Sequence, residues 1–372
     1  MPYPISRRAL LKQGGAALGA AVSLTGCAEQ TASTPGRKKG GDWAAALGEM
    51  EKRIPNAMEE FKVPGLSMVV IQDAKVVWNK AFGVKDRETS APVDAATMFE
   101  AASMSKPVFA YAVMKLVEKG VVDLDAPLTR YTPEKFVQGD ARLDQITARR
   151  VLSHTSGFQN WRSEKTPLKI QFPPGERWEY SGEGYSYLQS VVARLTRQPI
   201  EPYMAANLFT PFGMTSSGYA WTKEFAQRMA RPHGTAGNPK ENKKSTAADV
   251  ARYGSSGALL STPGDYAHFL LEVIDPKPAD AYRLNAASLK EMLRPQVKVS
   301  AYLFPCSWAL GWQVRHAEGG DVILHGGDNE GFHSMCGASV ERKSGFVVMT
   351  NGEDGWQLIQ RRLVEDLVAR VL

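Results

Sequence analysis

Strand-like runs occupy both ends of this chain and almost none of its middle, and that order restricts the folds open to it. Helical spacing over residues 43–61, carried by Leu47, Met50, Ile54, Met58 and Phe61, is closed by Pro64-Gly65. Residues 66–72 and 75–82 are β-rich and hinge on Asp73-Ala74, the pattern of a hairpin. Phe109, Ala112, Val113, Leu116 and Val117 then form an apolar helical stripe that Gly120 stops. From Asp123 to about Pro295 the chain reads as helices and long loops punctuated by Pro and Gly. Strand-like runs return at residues 310–316, 322–325, 332–340 and 345–350, ahead of a final helix over 356–371. The expected fold is α+β: one antiparallel sheet built from both termini and flanked by helices, with the middle forming a mostly helical second lobe. A ligand site belongs in the cleft between the two.

The N-terminus reads as an address rather than as fold. Residues 1–26 hold Arg7, Arg8 and Lys12 and no acid, followed by a Gly/Ala-rich apolar run too short to span a bilayer. Residues 6–12 resemble a twin-arginine export signal, and Leu24-Thr25-Gly26-Cys27 resembles the lipobox of bacterial lipoproteins. On this reading 1–26 is a signal peptide, Cys27 carries the lipid that holds the protein to a membrane, 27–41 is a tether, and 42–372 is the folded domain. The protein is then periplasmic or displayed at the cell surface. The formal charge of +6 falls to +3 without those three cations, too mild a bias to imply nucleic acid. None of the six histidines has metal-ligand spacing, so neither metal nor cofactor is expected. Cys306 and Cys336 are allowed a disulfide by export, but two buried free thiols are the expected state.

The chemistry begins at Ser103-Met104-Ser105-Lys106, at the opening of the stripe helix. Residues three apart share a helix face, which puts the Ser103 hydroxyl beside the Lys106 amine. A serine attacks a carbonyl only with a base in hydrogen-bond reach, and a lysine is a base only when neutral. Its pKa must therefore drop from about 10 to near 7, worth roughly 4 kcal/mol, which burial can supply. Tyr180, in Tyr180-Ser181-Gly182, offers a phenol to relay the proton to a leaving group. His325-Gly326-Gly327-Asp328 stands at a strand end, where a glycine pair admits substrate to the backbone. There the N–H groups of Asp328 and Ser103 would form an oxyanion hole.

Taken in this order the three strings resemble the serine β-lactamase and penicillin-binding protein superfamily, known by its SxxK and KTG-type motifs. The likeness is greatest to the branch holding class C β-lactamases, DD-peptidases and family VIII esterases. It extends to residues 152–157, to Pro174-Gly175, to residues 211–214 and to residues 310–312, so that it covers most of 45–370. It implies that Ser103 is the acylated nucleophile, Lys106 its proton acceptor, Tyr180 the tyrosine of the second motif and His325 the basic residue of the third. His154 falls in a stretch that looks structural.

Two departures narrow the substrate. The branch usually has Tyr-x-Asn where this chain has Gly182, and Lys followed by Thr or Ser where it has His325 and Gly326. A histidine is only partly charged near neutrality and glycine has no hydroxyl, so carboxylate recognition should be weak. The reading that follows is an esterase-like hydrolase of small esters or amides, with Gly182, Gly326 and Gly327 at the substrate. A β-lactamase or D-amino-acid peptidase comes second, and an envelope binding protein with weak turnover third. An α/β-hydrolase is excluded because no G-x-S-x-G string exists.

Overall fold

The computed structural model describes residues 43–163, 165–301, 304–317 and 320–371. Residues 1–42, which hold the expected export signal, Cys27 and the expected tether, lie outside the described residues. Two compact units divide the chain, Met1–Arg53 and Ile54–Leu372, and the division falls inside the first helix, α1 (Trp43–Glu60). In the smaller unit the described residues are helical, with Leu47 and Met50 buried one turn apart.

In the larger unit α1 does not end at Pro64-Gly65. Lys62 turns left-handed at φ +55°, the Val63 N–H reaches the Met58 carbonyl at 2.9 Å, and Gly65 already opens the first strand. A 6→1 bond of this kind satisfies the last helical carbonyls without a glycine. The hairpin is as expected: β1 (Gly65–Gln72) and β2 (Lys75–Asp86) pair across Asp73 at φ +48° and Ala74 at φ +56°. Two positive φ values match the right-handed twist of the flanking strands.

The remaining strands are β3 (Ala91–Pro92), β4 (Phe99–Ala102), β5 (Leu259–Ser261), β6 (Val297–Val299), β7 (Cys306–Trp308), β8 (Gln313–Arg315), β9 (Val322–Asn329), β10 (Phe332–Ser339) and β11 (Ser344–Thr350). Nine of the eleven strands among the described residues form one antiparallel sheet in the order β3-β2-β1-β11-β10-β9-β8-β7-β6, while β4 and β5 pair separately. The first and last long strands lie side by side, Leu66 opposite Thr350, so the sheet is indeed assembled from both termini. β1, β10 and β11 are buried on both faces, which is why they read as nearly continuous apolar runs.

The stripe helix, α2 (Ser105–Glu118), is buried along almost its whole length, and Gly120 follows it at φ +67°. Tyr111 on α2 meets Phe212 and Phe269 edge-on, and Phe269 stacks on Trp312 at 6.1 Å, joining the helical middle to the sheet. Two late runs differ from expectation. Residues 310–316 are not one strand: Gly311, at φ +87°, turns between β7 and β8, and a Cβ there would meet the Ala110 side chain at 2.6 Å. The run expected to end at His325 continues to Asn329, because β10 keeps pairing with it. Cys306 and Cys336 are free and buried.

Candidate active site

Ser103 lies in the turn between β4 and α2, two residues ahead of the helix rather than on it. The one-turn relation to Lys106 survives because the Lys106 N–H donates to the Ser103 carbonyl at 3.0 Å. Ala102 is left-handed at φ +49°, a conformation a non-glycine residue holds only where the surroundings enforce it. Ser105 enforces it from one side. Its hydroxyl donates to the Ala102 carbonyl at 2.6 Å and accepts the Leu259 N–H of β5 at 3.0 Å.

Lys106 is fully buried. Its Nζ is 3.1 Å from Ser103 Oγ and donates at 2.5 Å to the carbonyl of Ser256, in the last turn of helix α4 (Ala247–Gly257). Burial brings its pKa from 10.5 to about 7. A neutral amine can donate to the Ser256 carbonyl while its lone pair faces the Ser103 hydroxyl, the geometry of a base beside its nucleophile. The same Nζ lies 4.8 Å from the ring centroid of Tyr180 and 5.5 Å from that of Tyr185.

Tyr180 is placed by the start of helix α3 (Gly182–Thr196). Ser181 is the N-cap, its hydroxyl accepting the Gly184 N–H at 3.1 Å, so Tyr180 is the last residue before the helical turn. Around its ring stand His154 at 4.1 Å, Trp308 at 5.9 Å and His325 at 6.4 Å between centroids. Trp178 packs on Trp308, and Trp221 packs against the main core.

His325 is buried on β9 and is not the partly charged base its position implied. Burial and the neighbouring Lys106 lower its pKa to about 3. Its Nδ1 is 2.8 Å from the Gly326 carbonyl, so Nδ1 carries the proton and Nε2 the lone pair. The two glycines expected to touch substrate each meet protein on the side where a Cβ would stand, and Gly326 keeps part of its surface exposed. A Cβ on Gly326 would meet the Trp356 ring at 2.7 Å, and one on Gly327 would meet the Ala101 carbonyl at 2.3 Å and Ser334 Oγ at 2.2 Å. The absence of side chains at these glycines lets the sheet close onto β4 and Trp356. Gly182 is covered too: a Cβ there would stand 2.2 Å from the Trp161 ring. Asp328 stays in the ladder opposite His333, with its half-exposed carboxylate 3.4 Å from His333 Nδ1 and its pKa raised by burial.

Ser103, Lys106, Tyr180 and His325 therefore converge. Sequence reasoning missed the parts that carry no side-chain signature, namely the Ser256 carbonyl and the left-handed Ala102. It also missed Asn329, whose amide donates to Glu100 at 2.6 Å and to the Gly257 carbonyl at 3.2 Å, tying β4, β9 and α4 together.

Residues 50–369 match the family model described as Beta-lactamase. The chain belongs to that family, within the serine β-lactamase and penicillin-binding protein superfamily. Among curated relatives, the chain is 29% identical to esterase EstB of Burkholderia gladioli over 52% of this chain and 56% of that protein. It is 28% identical to the putative penicillin-binding protein PbpX of Bacillus subtilis over 62% of this chain and 59% of that one. The chain thus spans less than two thirds of the length of these relatives. Among solved structures, a class C beta lactamase superposes with a TM-score of 0.74 at 16% identity, over 88% of this chain and 98% of that one. A D-alanine carboxypeptidase from Burkholderia cenocepacia gives 0.72 at 18% identity, over 87% and 100%. At such identities these two likenesses speak to the fold.

Proposed function

We propose that this protein is a serine hydrolase that forms a covalent acyl-enzyme on Ser103, acting on small, uncharged esters or amides. Neutral Lys106 takes the Ser103 proton as Oγ adds to the substrate carbonyl. The N–H groups of Ser103 and Asp328 hold the resulting oxyanion. Tyr180, beside Lys106, passes the proton to the leaving group as the tetrahedral intermediate collapses. Water then attacks the acyl-enzyme, returning a proton to the same pair and releasing the acid. The observation that carries this reading is the buried Lys106 amine, 3.1 Å from Ser103 Oγ and with a pKa of about 7.

The preference for an uncharged substrate follows from His325. A neutral imidazole offers no cation to a carboxylate, and the neighbouring Gly326 offers no hydroxyl. The printed name of the Burkholderia gladioli relative, an esterase, points the same way. Export and lipidation at Cys27 belong to the proposal on the sequence of residues 1–27 alone.

The test is the intact mass of a soluble form beginning after Cys27, after brief exposure to a short-chain aryl ester or to a penicillin, beside Ser103→Ala. Ester turnover that requires Ser103, with little penicilloyl adduct, is the expected result. A fast Ser103-dependent penicilloyl adduct would move the protein to the peptidase and β-lactamase side. Inertness toward both would leave a binding protein.

A further inference from the structure

His154 touches the Tyr180 ring and hydrogen-bonds both of its chain neighbours. Its carbonyl accepts the N–H of Glu179 at 2.9 Å and its Nδ1 accepts the N–H of Ser181 at 3.1 Å, so one residue holds the backbone of both chain neighbours of Tyr180. Its ring lies against the Tyr180 ring with centroids 4.1 Å apart, and Trp308 and Tyr185 pack around it at 5.0 and 5.3 Å.

Holding this arrangement is unfavourable for the fold in three respects. His154 is left-handed at φ +56°, and its side chain is fully buried. With Nδ1 accepting, Nε2 carries the hydrogen, and that N–H has no hydrogen-bond partner among the described residues. Strain and an unsatisfied buried donor at one residue mark a place where the structure serves something other than stability. Proton transfer by His154 itself is not that service. Burial, Lys106 and His325 hold its pKa well below the ordinary value, and its one ring acceptor is taken by Ser181.

We infer that His154 is the positioning residue for Tyr180, clamping the backbone on either side of it and backing its ring so that the phenol stays in register with Lys106. The inference rests on the proposed role of Tyr180 as proton relay. A clamp acts only through what it holds, and a displacement of about 1 Å in a reacting group can cost on the order of a hundredfold in rate.

The experiment is a double-mutant cycle between His154 and Tyr180, read as kcat and KM for an aryl ester. His154→Phe keeps a ring but removes the acceptor. His154→Asn keeps an acceptor near the Nδ1 position and tolerates a left-handed φ. The expected result is a fall in kcat of about tenfold to a hundredfold for His154→Phe, with KM within about threefold. His154→Asn should recover part of it, and both variants should melt cooperatively. In a Tyr180→Phe background, replacing His154 should cost less than about twofold more. The same full loss in that background would overturn the inference, since the residue would then act on something else, and so would wild-type kcat in folded His154→Phe. If His154→Phe fails to fold, the cycle runs with His154→Asn, where a full loss of kcat independent of Tyr180 overturns it equally. Wild-type kcat in Tyr180→Phe alone would sink the relay reading itself and the inference with it.

Discussion

At the scale of single residues the chemistry depends on a lysine kept in an environment that disfavours its charge. Its folded pKa of about 7 lies below the ordinary 10.5, so between those values the unfolded chain binds more protons than the folded one. The penalty is therefore complete below pH 7, fades as pH rises toward 10.5, and at pH 7 amounts to about 4 kcal/mol. Lys106→Met should consequently be inactive yet more stable than wild type, by a few kcal/mol at pH 6 to 7 after allowing for the lost bond to Ser256, with the gap closing toward pH 10. Melting curves of both proteins across that range check it, and a gap that does not change with pH would mean the amine is not depressed. The same pKa predicts that acylation of wild type declines below about pH 7, as Lys106 becomes a cation. His325, neutral above about pH 3, adds no second limb in the range where the fold survives.

At the scale of elements, the start of α3 shows how a missing side chain is replaced by another element. Gly182 leaves a space that the Trp161 indole fills, and the loop bearing Trp161 is fastened to the helix at two points. The Asn160 side chain accepts the Gly182 N–H at 2.8 Å, and Arg162 grips the fully buried Glu183 with contacts of 2.6 to 2.9 Å. The indole also meets Tyr253 edge-on, one turn ahead of Ser256 on α4. Trp161→Ala should therefore open space over Gly182, two residues past Tyr180, and favour longer acyl chains. The ratio of kcat/KM for a butyryl over an acetyl ester is expected to rise about tenfold, since a methylene in an apolar pocket is worth roughly 1–3 kcal/mol. An unchanged ratio in a folded variant would place the indole outside the acyl path. None of this was legible in the sequence, where nothing pairs Trp161 with Gly182. What was legible has a local physical cause. Ser103 and Lys106 are tied by their spacing, and the hairpin turn by its position between two β-rich runs. The left-handed Ala102, the carbonyl of Ser256 and the covering of Gly326 and Gly327 are consequences of tertiary contact, which a single residue type does not announce.

At the scale of the whole molecule, the site joins segments that are far apart in sequence: the turn after β4, the start of α3, the end of α4 and strand β9. The larger sheet closes tightly on the nucleophile's own strand where Gly327 on β9 lies against the Ala101 carbonyl and Ser334 Oγ donates to that same carbonyl at 3.0 Å. The Ser334 hydroxyl can rotate away, but the Ala101 carbonyl belongs to the backbone that leads into Ser103, so an added methyl must push the two strands apart. Gly327→Ala should accordingly destabilise the protein by about 1–3 kcal/mol, the usual cost of overpacking. It should also separate the Asp328 N–H from that of Ser103, and losing one oxyanion donor costs about a hundredfold to a thousandfold in kcat. The two losses are separable, because thermal melting reports the first and burst kinetics on the folded fraction report the second. A variant that melts lower but keeps the wild-type acylation rate would show that β9 supports the nucleophile without contributing Asp328 to the oxyanion hole. Loss of acylation at an unchanged melting temperature would instead show that the methyl is accommodated by a local shift of Asp328.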